Sequence, residues 1–367
     1  MNSVQIPLAE RSYEMHIGCG LMDQLQQRVA EITSTQRAMY VVDTNVVDQI
    51  QKFIEVDDET CSMMTLFASE SNKTMESVER IWSAMLDAGY DRSTPIVAIG
   101  GGIVGDVAGF AAASYMRGVP LIQVPTTLLA MVDASIGGKT GVNLKRTRSD
   151  GSEVLGKNLA GAFWQPRAVF ADVATLDTLD KRQLRCGLAE CVKHAMLGNC
   201  ALLSFLEEHA RAILDCDQRV LHELVFLSAS IKAEVVAADE REGSVRAFLN
   251  LGHTFAHALE PMPELELLHG EAVSIGLVAA SRCAETLGMV TKDYVEKTTE
   301  ILGSLGLPTK LKGGVRVSDL LMMMQLDKKN IEGRLRLVLP EGDTGATIRE
   351  DVEQEVVARV LHSIGAV

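Results

Sequence analysis

Short apolar runs alternate with amphipathic stretches over the first about 170 residues, the signature of strands followed by helices. Ala38-Met-Tyr-Val-Val-Asp43 is a continuous apolar run that closes on an acid, which predicts a buried strand with a functional tip. Met75 to Gly89 carries helical periodicity and a glycine stop. Thr94-Pro-Ile-Val-Ala-Ile-Gly100 and Val119-Pro-Leu-Ile-Gln-Val-Pro125 predict two further buried strands, with a helix over Ile103 to Tyr115 between them. This alternation argues for an α/β domain built on a largely parallel sheet. From Asp177 onward the pattern changes to long amphipathic runs: Arg182 to Leu197, Ala201 to Leu214, Arg219 to Ala238, Glu271 to Leu287 and Val295 to Leu305. Glycine and proline are sparse within them, so this half reads as mostly helical, with one small extended patch over Arg334 to Pro340. Lys145-Arg-Thr-Arg-Ser-Asp-Gly-Ser-Glu153 is the least core-like stretch and reads as an exposed loop. The expectation is two domains, an α/β nucleotide-binding half over residues 1–176 and a mostly α-helical half over residues 177–367.

Composition narrows the function classes. With 47% hydrophobic and 23% charged residues, the chain has the make-up of an ordinary globular protein and can bury a large core. No apolar run reaches the roughly 20 residues of a membrane span. The start, Met-Asn-Ser-Val-Gln-Ile-Pro, lacks a basic region followed by an apolar core, so no signal peptide is expected. Seven scattered cysteines with no Cys-x-x-Cys pair predict reduced thiols in a cytoplasm. A net charge of −14 argues against nucleic acid as a partner, but local lysines and arginines can still hold a small anion.

The densest chemistry is Asn250-Leu-Gly-His253-Thr-Phe-Ala-His257-Ala-Leu-Glu260, followed by Leu268-His269-Gly-Glu-Ala. His253 and His257 are four apart, which places both rings on one helical face. Pro261 and Pro263 separate them from His269, so the picture is two elements across a turn that aim imidazoles into a shared space. Such a cluster suits a borderline-soft metal such as zinc. A histidine pair at this spacing also occurs as surface or core filler. The apolar setting of Leu249, Leu251, Phe255, Ala256 and Leu259 would carry these rings into an interior, where they need a partner.

A second set of signals points to phosphate. Gly100-Gly101-Gly102 joins a strand to a helix, where backbone amides can approach an anion at the helix N-terminus. Asp106, in the first helical turn on this reading, either complements the dipole or bonds to a nucleotide. Asp43 at its strand tip suits ribose hydroxyls. Thr126 and Thr127 add hydroxyls after the third strand, and Gly137-Gly138-Lys139-Thr140-Gly141 flanks a lysine with glycines. A Walker ATPase would need glycine where Asp133 stands, so that reading is rejected.

Taken together these residues resemble the 3-dehydroquinate synthase family of the sugar phosphate cyclase superfamily. The resemblance is carried by Ile99-Gly-Gly-Gly-Ile-Val-Gly-Asp106, Tyr115-Met-Arg-Gly118, Gln123-Val-Pro-Thr-Thr-Leu128, Val132-Asp to Gly141-Val-Asn143, and Gly156-Lys-Asn158. It continues in Gly187-Leu-Ala-Glu190-Cys-Val-Lys193, Arg246-Ala-Phe-Leu-Asn-Leu-Gly-His253, His269-Gly-Glu-Ala and Asp327-Lys-Lys329. The resemblance implies a Rossmann-like N-terminal α/β domain, an α-helical metal-binding C-terminal domain and an active site in the cleft between them. It implies NAD and one divalent metal, zinc or else cobalt, and a homodimer. The family reaction converts 3-deoxy-D-arabino-heptulosonate 7-phosphate to 3-dehydroquinate and phosphate, the second step of the shikimate pathway. It runs by transient oxidation, phosphate loss with the leaving phosphate as its own base, reduction, ring opening and an intramolecular aldol step.

Carried over by motif position, the resemblance implies Glu190, His253 and His269 as metal ligands and moves His257 to the substrate. It implies that Lys139, Asn158, Lys193, Lys232, Arg246, Asn250 and His257 surround the substrate, with Arg117 and Lys329 rather than Lys328 at its phosphate and Asp133 on a hydroxyl. Glu70, Lys73, Thr126, Thr127, Lys157, Thr175, Thr178 and Leu179 would line the NAD site with Asp43, Gly100, Gly101, Gly102 and Asp106, and Asp133 and Lys139 would reach both ligands.

The chain departs from the family pattern at Ala134, where serine is usual, and at Gln183, where glutamate is common. A longer segment over residues 144–155 is expected to form a mobile loop or flap. Three rival readings remain: a sister cyclase acting on another sugar phosphate, a metal-dependent alcohol dehydrogenase of the glycerol dehydrogenase type, and a nucleotide-binding regulatory protein.

Overall fold

The structure, a computed structural model, describes residues 2–57, 60–147, 153–325, 335–343 and 345–367. The chain folds into two compact units, Met1–Leu179 with Leu221–Arg241 and Asp180–Val220 with Glu242–Val367. The segment Leu221–Arg241 therefore groups with the α/β unit, although its helical periodicity resembles that of the other half.

The first unit contains β1 (Asn2–Ile6), β2 (Tyr13–Gly18), α1 (Leu25–Thr33), β3 (Ala38–Asp43), α2 (Val47–Ile50), β4 (Cys61–Leu66), α3 (Met75–Asp87), β5 (Ile96–Gly100), α4 (Gly102–Ser114), β6 (Leu121–Pro125), β7 (Lys139–Thr147), β8 (Glu153–Phe163) and β9 (Ala168–Asp172). Seven strands form one sheet in the order β1-β2-β9-β6-β5-β3-β4. Only the edge strand β1 runs antiparallel to its neighbour. The apolar runs are continuous because both sheet faces are covered. Met39 and Val41 of β3 pack with Ile81, Met85, Val104 and Val107 of α3 and α4. Tyr40 and Val42, on the opposite face, pack with Leu25 and Val29 of α1 and Ile50 of α2.

The exposed loop expected over Lys145–Glu153 is a correction. β7 continues to Thr147 and β8 begins at Glu153, paired antiparallel as a long hairpin. Lys145-Arg-Thr-Arg shows no strand-like hydrophobic alternation, so this part of the ribbon is not legible in the sequence. The flap expectation for residues 148–152 lies outside the described residues.

The second unit holds α5 (Lys181–Met196), α6 (Cys200–Leu214), the start of α7 (Gln218–Ala238), α8 (His253–Leu259), α9 (His269–Thr286), α10 (Lys292–Ser304), α11 (Val317–Gln325), β10 (Leu337–Pro340), β11 (Ala346–Arg349) and α12 (Gln354–Ser363). Thus the extended patch near the C-terminus is β10 of a hairpin with β11, and Arg334 lies outside the described residues. α9 is buried on nearly all sides from Gly270 to Ala284, which makes it the central helix of this unit. Two backbone contacts seat its neighbours. Gly252, at φ 74° before α8, would place a Cβ 2.8 Å from Leu277 N of α9, and a Cβ on Gly276 would strike Gly252 O. A Cβ on Gly270 would strike the backbone of Cys186 in α5. All seven cysteines are free thiols. No described helix is long and apolar enough to cross a membrane.

Gly276→Ala should cost about 1–3 kcal/mol in denaturant unfolding, since α8 cannot retreat without opening the core. Gly303→Ala, at an exposed position of α10 with nothing within 4 Å of the added carbon, should be neutral or stabilising by up to about 1 kcal/mol. Equal effects at the two sites would contradict this packing account.

Candidate active site

In the second unit three helices bring together residues far apart in sequence. Glu190 comes from the middle of α5, His253 opens α8 and His269 opens α9. Glu190 is 1% exposed, and its Oε1 lies 3.6 Å from His253 Nε2 and 3.5 Å from His269 Nε2. The Lys193 ammonium, one turn along α5 and 2% exposed, pairs with Glu190 Oε2. His253 Nδ1 sits 3.1 Å from Leu251 O, and His269 Nδ1 meets Glu260 Oε1. A carbonyl and an ionised carboxylate only accept, so each Nδ1 carries a hydrogen and each Nε2 presents its remaining valence to Glu190.

Two imidazole nitrogens and a carboxylate oxygen thus converge, with donor atoms all within 4.8 Å of one another. Three acceptors do not face one another in a buried site without a cation or proton between them. Ligands about 2.0–2.1 Å from a tetrahedral zinc lie about 3.4 Å apart, close to the spacing seen here. Two histidines and a carboxylate also match a catalytic zinc set, which leaves coordination positions for substrate. The residues fit the metal.

Burial opposes charge on all three groups, with a different outcome for each. Burial is the largest influence on Glu190 and disfavours its charge, but Lys193 and the histidines outweigh it and hold the carboxyl well below its usual range. Burial pushes His253 well below the ordinary imidazole value despite the attraction of Glu190. For His269 burial also acts downward, but its bonds to Glu190 and Glu260 raise it to about 10.

The His257 ring is 5.6 Å from that of His253, and the same unit holds Arg246, 1% exposed, and Asn250, which donates to Glu242 Oε1 at 2.9 Å.

In the first unit the carboxyl ends of β3, β5 and β6 carry Asp43, Gly100–Gly102 and Thr126–Thr127. β4 pairs with one side of β3 and β5 with the other, which makes a topological switch point. Open α/β sheets bind nucleotides at such points. Gly101 and Gly102 start α4 and offer its N-terminal amides without side chains in the way. Asp43 is 5% exposed, and its Oδ1 accepts from Asn45 N and Nδ2 at 3.0 and 2.9 Å. Thr126 is 2% exposed, and Thr127 Oγ1 accepts from Ala130 N. Thr175 donates to Asp172 O, and Thr178 donates to Gln49 of α2, just after the tip of β3. Leu179 closes the same turn through its N–H to Leu176 O.

A polar network stands beside these tips. Lys73 is 6% exposed, and its Nζ lies 2.5 Å from both Asp106 Oδ2 and Asn158 Oδ1. Asn143 accepts from Asn158 N at 2.9 Å and donates to Glu70 Oε2 at 2.8 Å. Lys232 donates to both Asp133 Oδ1 and Asp133 O at 2.6 Å.

Residues 63–186 match the family model for the 3-dehydroquinate synthase N-terminal domain, and residues 187–330 match that for the C-terminal domain. The chain is 40% identical to a 3-dehydroquinate synthase from Acidithiobacillus ferrooxidans over 99% of its own length and 98% of the relative's. The chain belongs to the 3-dehydroquinate synthase family. A second member, from Halorhodospira halophila, is 42% identical over 98% of this chain and 99% of its own. Among solved structures, the 2-epi-5-epi-valiolone synthase of Streptomyces hygroscopicus subsp. jinggangensis, with NAD+ and Zn2+ bound, superposes with a TM-score of 0.84 at 28% identity, covering 98% of both chains.

Against the family pattern, the structure gathers Glu190, His253 and His269 into one cluster, with Lys193, Arg246, Asn250 and His257 in the same unit. It joins Asn158 to Lys73 and Asp106, so a residue expected on the substrate stands among those expected on the cofactor. Asp106 falls just past the first turn of α4, which corrects its expected position; it faces Lys73. Lys139 and Lys157 are exposed, and exposed Arg117 occupies a left-handed turn with Met116. Lys328 and Lys329 lie outside the described residues. Ala134 lies against Gly102, where a Cβ would come within 3.1 Å. Gln183 is exposed in the first turn of α5, where nothing in the structure gives it a role. Three residues were missed: Asn143, Glu242 and Glu260. Glu260 had a signal, because it continues His253 and His257 at helical spacing on one face.

Burial raises the Asp106 carboxyl above its ordinary value, and Lys73 opposes that shift. Lys73→Met should therefore raise it further and cost about 2 kcal/mol at pH 7. A carboxyl whose folded pKa exceeds its unfolded value costs stability above the unfolded value, about 4. The deficit should shrink as pH falls through the folded value, and Asp106→Asn added to the variant should remove it at pH 7. Denaturant titrations at pH 7 and pH 5 check this; a deficit independent of pH would exclude Asp106 as its cause.

Proposed function

We propose that the protein is a 3-dehydroquinate synthase, releasing phosphate from 3-deoxy-D-arabino-heptulosonate 7-phosphate and closing the product ring without net redox change. The observation that carries this reading is the convergence of Glu190 Oε1, His253 Nε2 and His269 Nε2, three metal-ligating atoms with the rings oriented from behind. Family membership supports the substrate.

Glu190, His253 and His269 would hold the metal; the Gly100–Gly102 turn, Asp43 and the Lys73–Asp106 network would hold NAD. When bound, the metal supplies Lewis-acid polarisation of a substrate oxygen and NAD a reversible hydride acceptor. The remaining chemistry falls to side chains of each unit. Lys193 keeps Glu190 ionised by direct pairing. Arg246, buried at 1% exposure, supplies a fixed cation for a carboxylate or phosphate. Asn250 is oriented by Glu242 and by Ala247 O, and His257 stands beside His253 to bind substrate or handle a proton. In the first unit Lys232 fixes the Asp133 carboxylate, which suits it to a substrate hydroxyl. The reading includes a carbon–oxygen lyase class, a cytoplasmic location and a homodimer, each supported by family resemblance.

Purified, metal-loaded protein with NAD should release phosphate from the heptulosonate phosphate without accumulating NADH. Release only from sedoheptulose 7-phosphate or glucose 6-phosphate would favour a sister cyclase, and steady NADH accumulation a dehydrogenase. His269→Ala should abolish metal-dependent turnover while the far-ultraviolet circular dichroism stays that of the parent. Full activity in that variant would dismiss the ligand set.

A further inference from the structure

The two ligand histidines are anchored by partners of different kinds. His253 Nδ1 is held by a backbone carbonyl, Leu251 O, which no side-chain substitution removes. His269 Nδ1 is held by a side chain, Glu260, which is 13% exposed and stands at the C-cap of α8. This helix runs only from His253 to Leu259, so one short element delivers a ligand at its first residue and, at its cap, the group that orients the other ligand. Pro261 follows directly and Pro263 soon after, which helps stop the helix at this point. The α9 side of the contact is equally constrained. Gly270 packs on the Cys186 backbone, so His269 cannot follow a displaced partner. The ring is therefore turned by Glu260 rather than by movement of its own helix.

We infer that Glu260 is a positioning residue that sets the affinity of this site for a divalent cation. The inference rests on the metal reading of Glu190, His253 and His269 under the proposed function. Two physical effects follow from the contact. The carboxylate fixes the tautomer, so that the lone pair of His269 lies on Nε2 and faces Glu190. It also draws the Nδ1 proton toward itself and makes Nε2 the stronger donor. Glu260 thereby adds a second negative charge one imidazole away from the cation, beyond that of Glu190.

The test is metal binding itself, measured apart from turnover. Parent, Glu260→Ala, Glu260→Gln and His269→Ala proteins are stripped with a chelator and titrated with Zn2+ against a chromophoric competitor, and separately with Co2+ while its visible spectrum is followed. Glu260→Ala should weaken Zn2+ binding by about 10–100-fold. Glu260→Gln keeps an acceptor for Nδ1–H but not the charge, so it should regain part of that loss and shift the Co2+ bands. His269→Ala should lose more than either. The metal-free parent and Glu260→Gln proteins should both be folded with the same far-ultraviolet circular dichroism, which separates positioning from a general structural role. Affinities in both Glu260 variants equal to the parent's would overturn the inference while the metal reading stands. A parent protein that binds neither ion would overturn both.

Discussion

Backbone-to-backbone contact among α5, α8 and α9 is the constraint on which the second unit depends. Glu190, His253 and His269 are three residues on three helices, and side chains of fixed length converge only if the helix axes are close. Gly252 against Gly276 and Gly270 against Cys186 supply that closeness, because a Cβ at any of the three glycines would overlap backbone. Packed interiors do not deform continuously, so the contacts also set a single spacing. Arg182 braces the same corner. Its guanidinium reaches both oxygens of Glu271 at 2.7 Å and Glu266 O at 2.7 Å, and so ties the first turn of α5 to that of α9. Glu271 in turn caps Leu268 N at 2.9 Å.

The first unit solves a different problem. Its sheet is buried on both faces, so chemistry can appear only where strands end. The parallel arrangement of β3, β5 and β6 puts three carboxyl ends on one edge, and the change of direction between β4 and β5 opens the site beside them. The polar network from Glu70 through Asn143, Asn158 and Lys73 to Asp106 then connects the β7–β8 ribbon to α4.

An acidic chain, with net charge −14, nevertheless buries several cations. Lys73, Lys193 and Lys232 are 6%, 2% and 5% exposed, and within its own unit each meets a carboxylate, Asp106, Glu190 and Asp133 respectively. Burying an ammonium without such a partner would cost several kcal/mol. Each pair therefore lets an ammonium stay buried inside a protein of negative net charge.

The strands β3, β5 and β6 were legible because burial on both faces leaves continuous apolar runs, and α3, α6 and α10 because burial on one face leaves a stripe. The β7–β8 ribbon read as a loop, since Lys145-Arg-Thr-Arg carries no hydrophobic alternation. β1, β2 and β4 mix in polar positions and left no comparably clear run. At the site, His253, His257 and the strand-tip glycines stood out from spacing alone. Glu190 did not: on α5 it is one polar residue in an amphipathic run, and resemblance to a family was needed to find it. Sequence by itself thus determined the strands and helices with a clear burial pattern and the histidine and glycine motifs, because burial pattern and turn chemistry are local. Only the tertiary structure decided which of those groups meet, that Glu260 orients His269, and that Lys73 holds Asp106 and Asn158 together. Those contacts depend on helix separations set by packing, and no single segment encodes the distance to another.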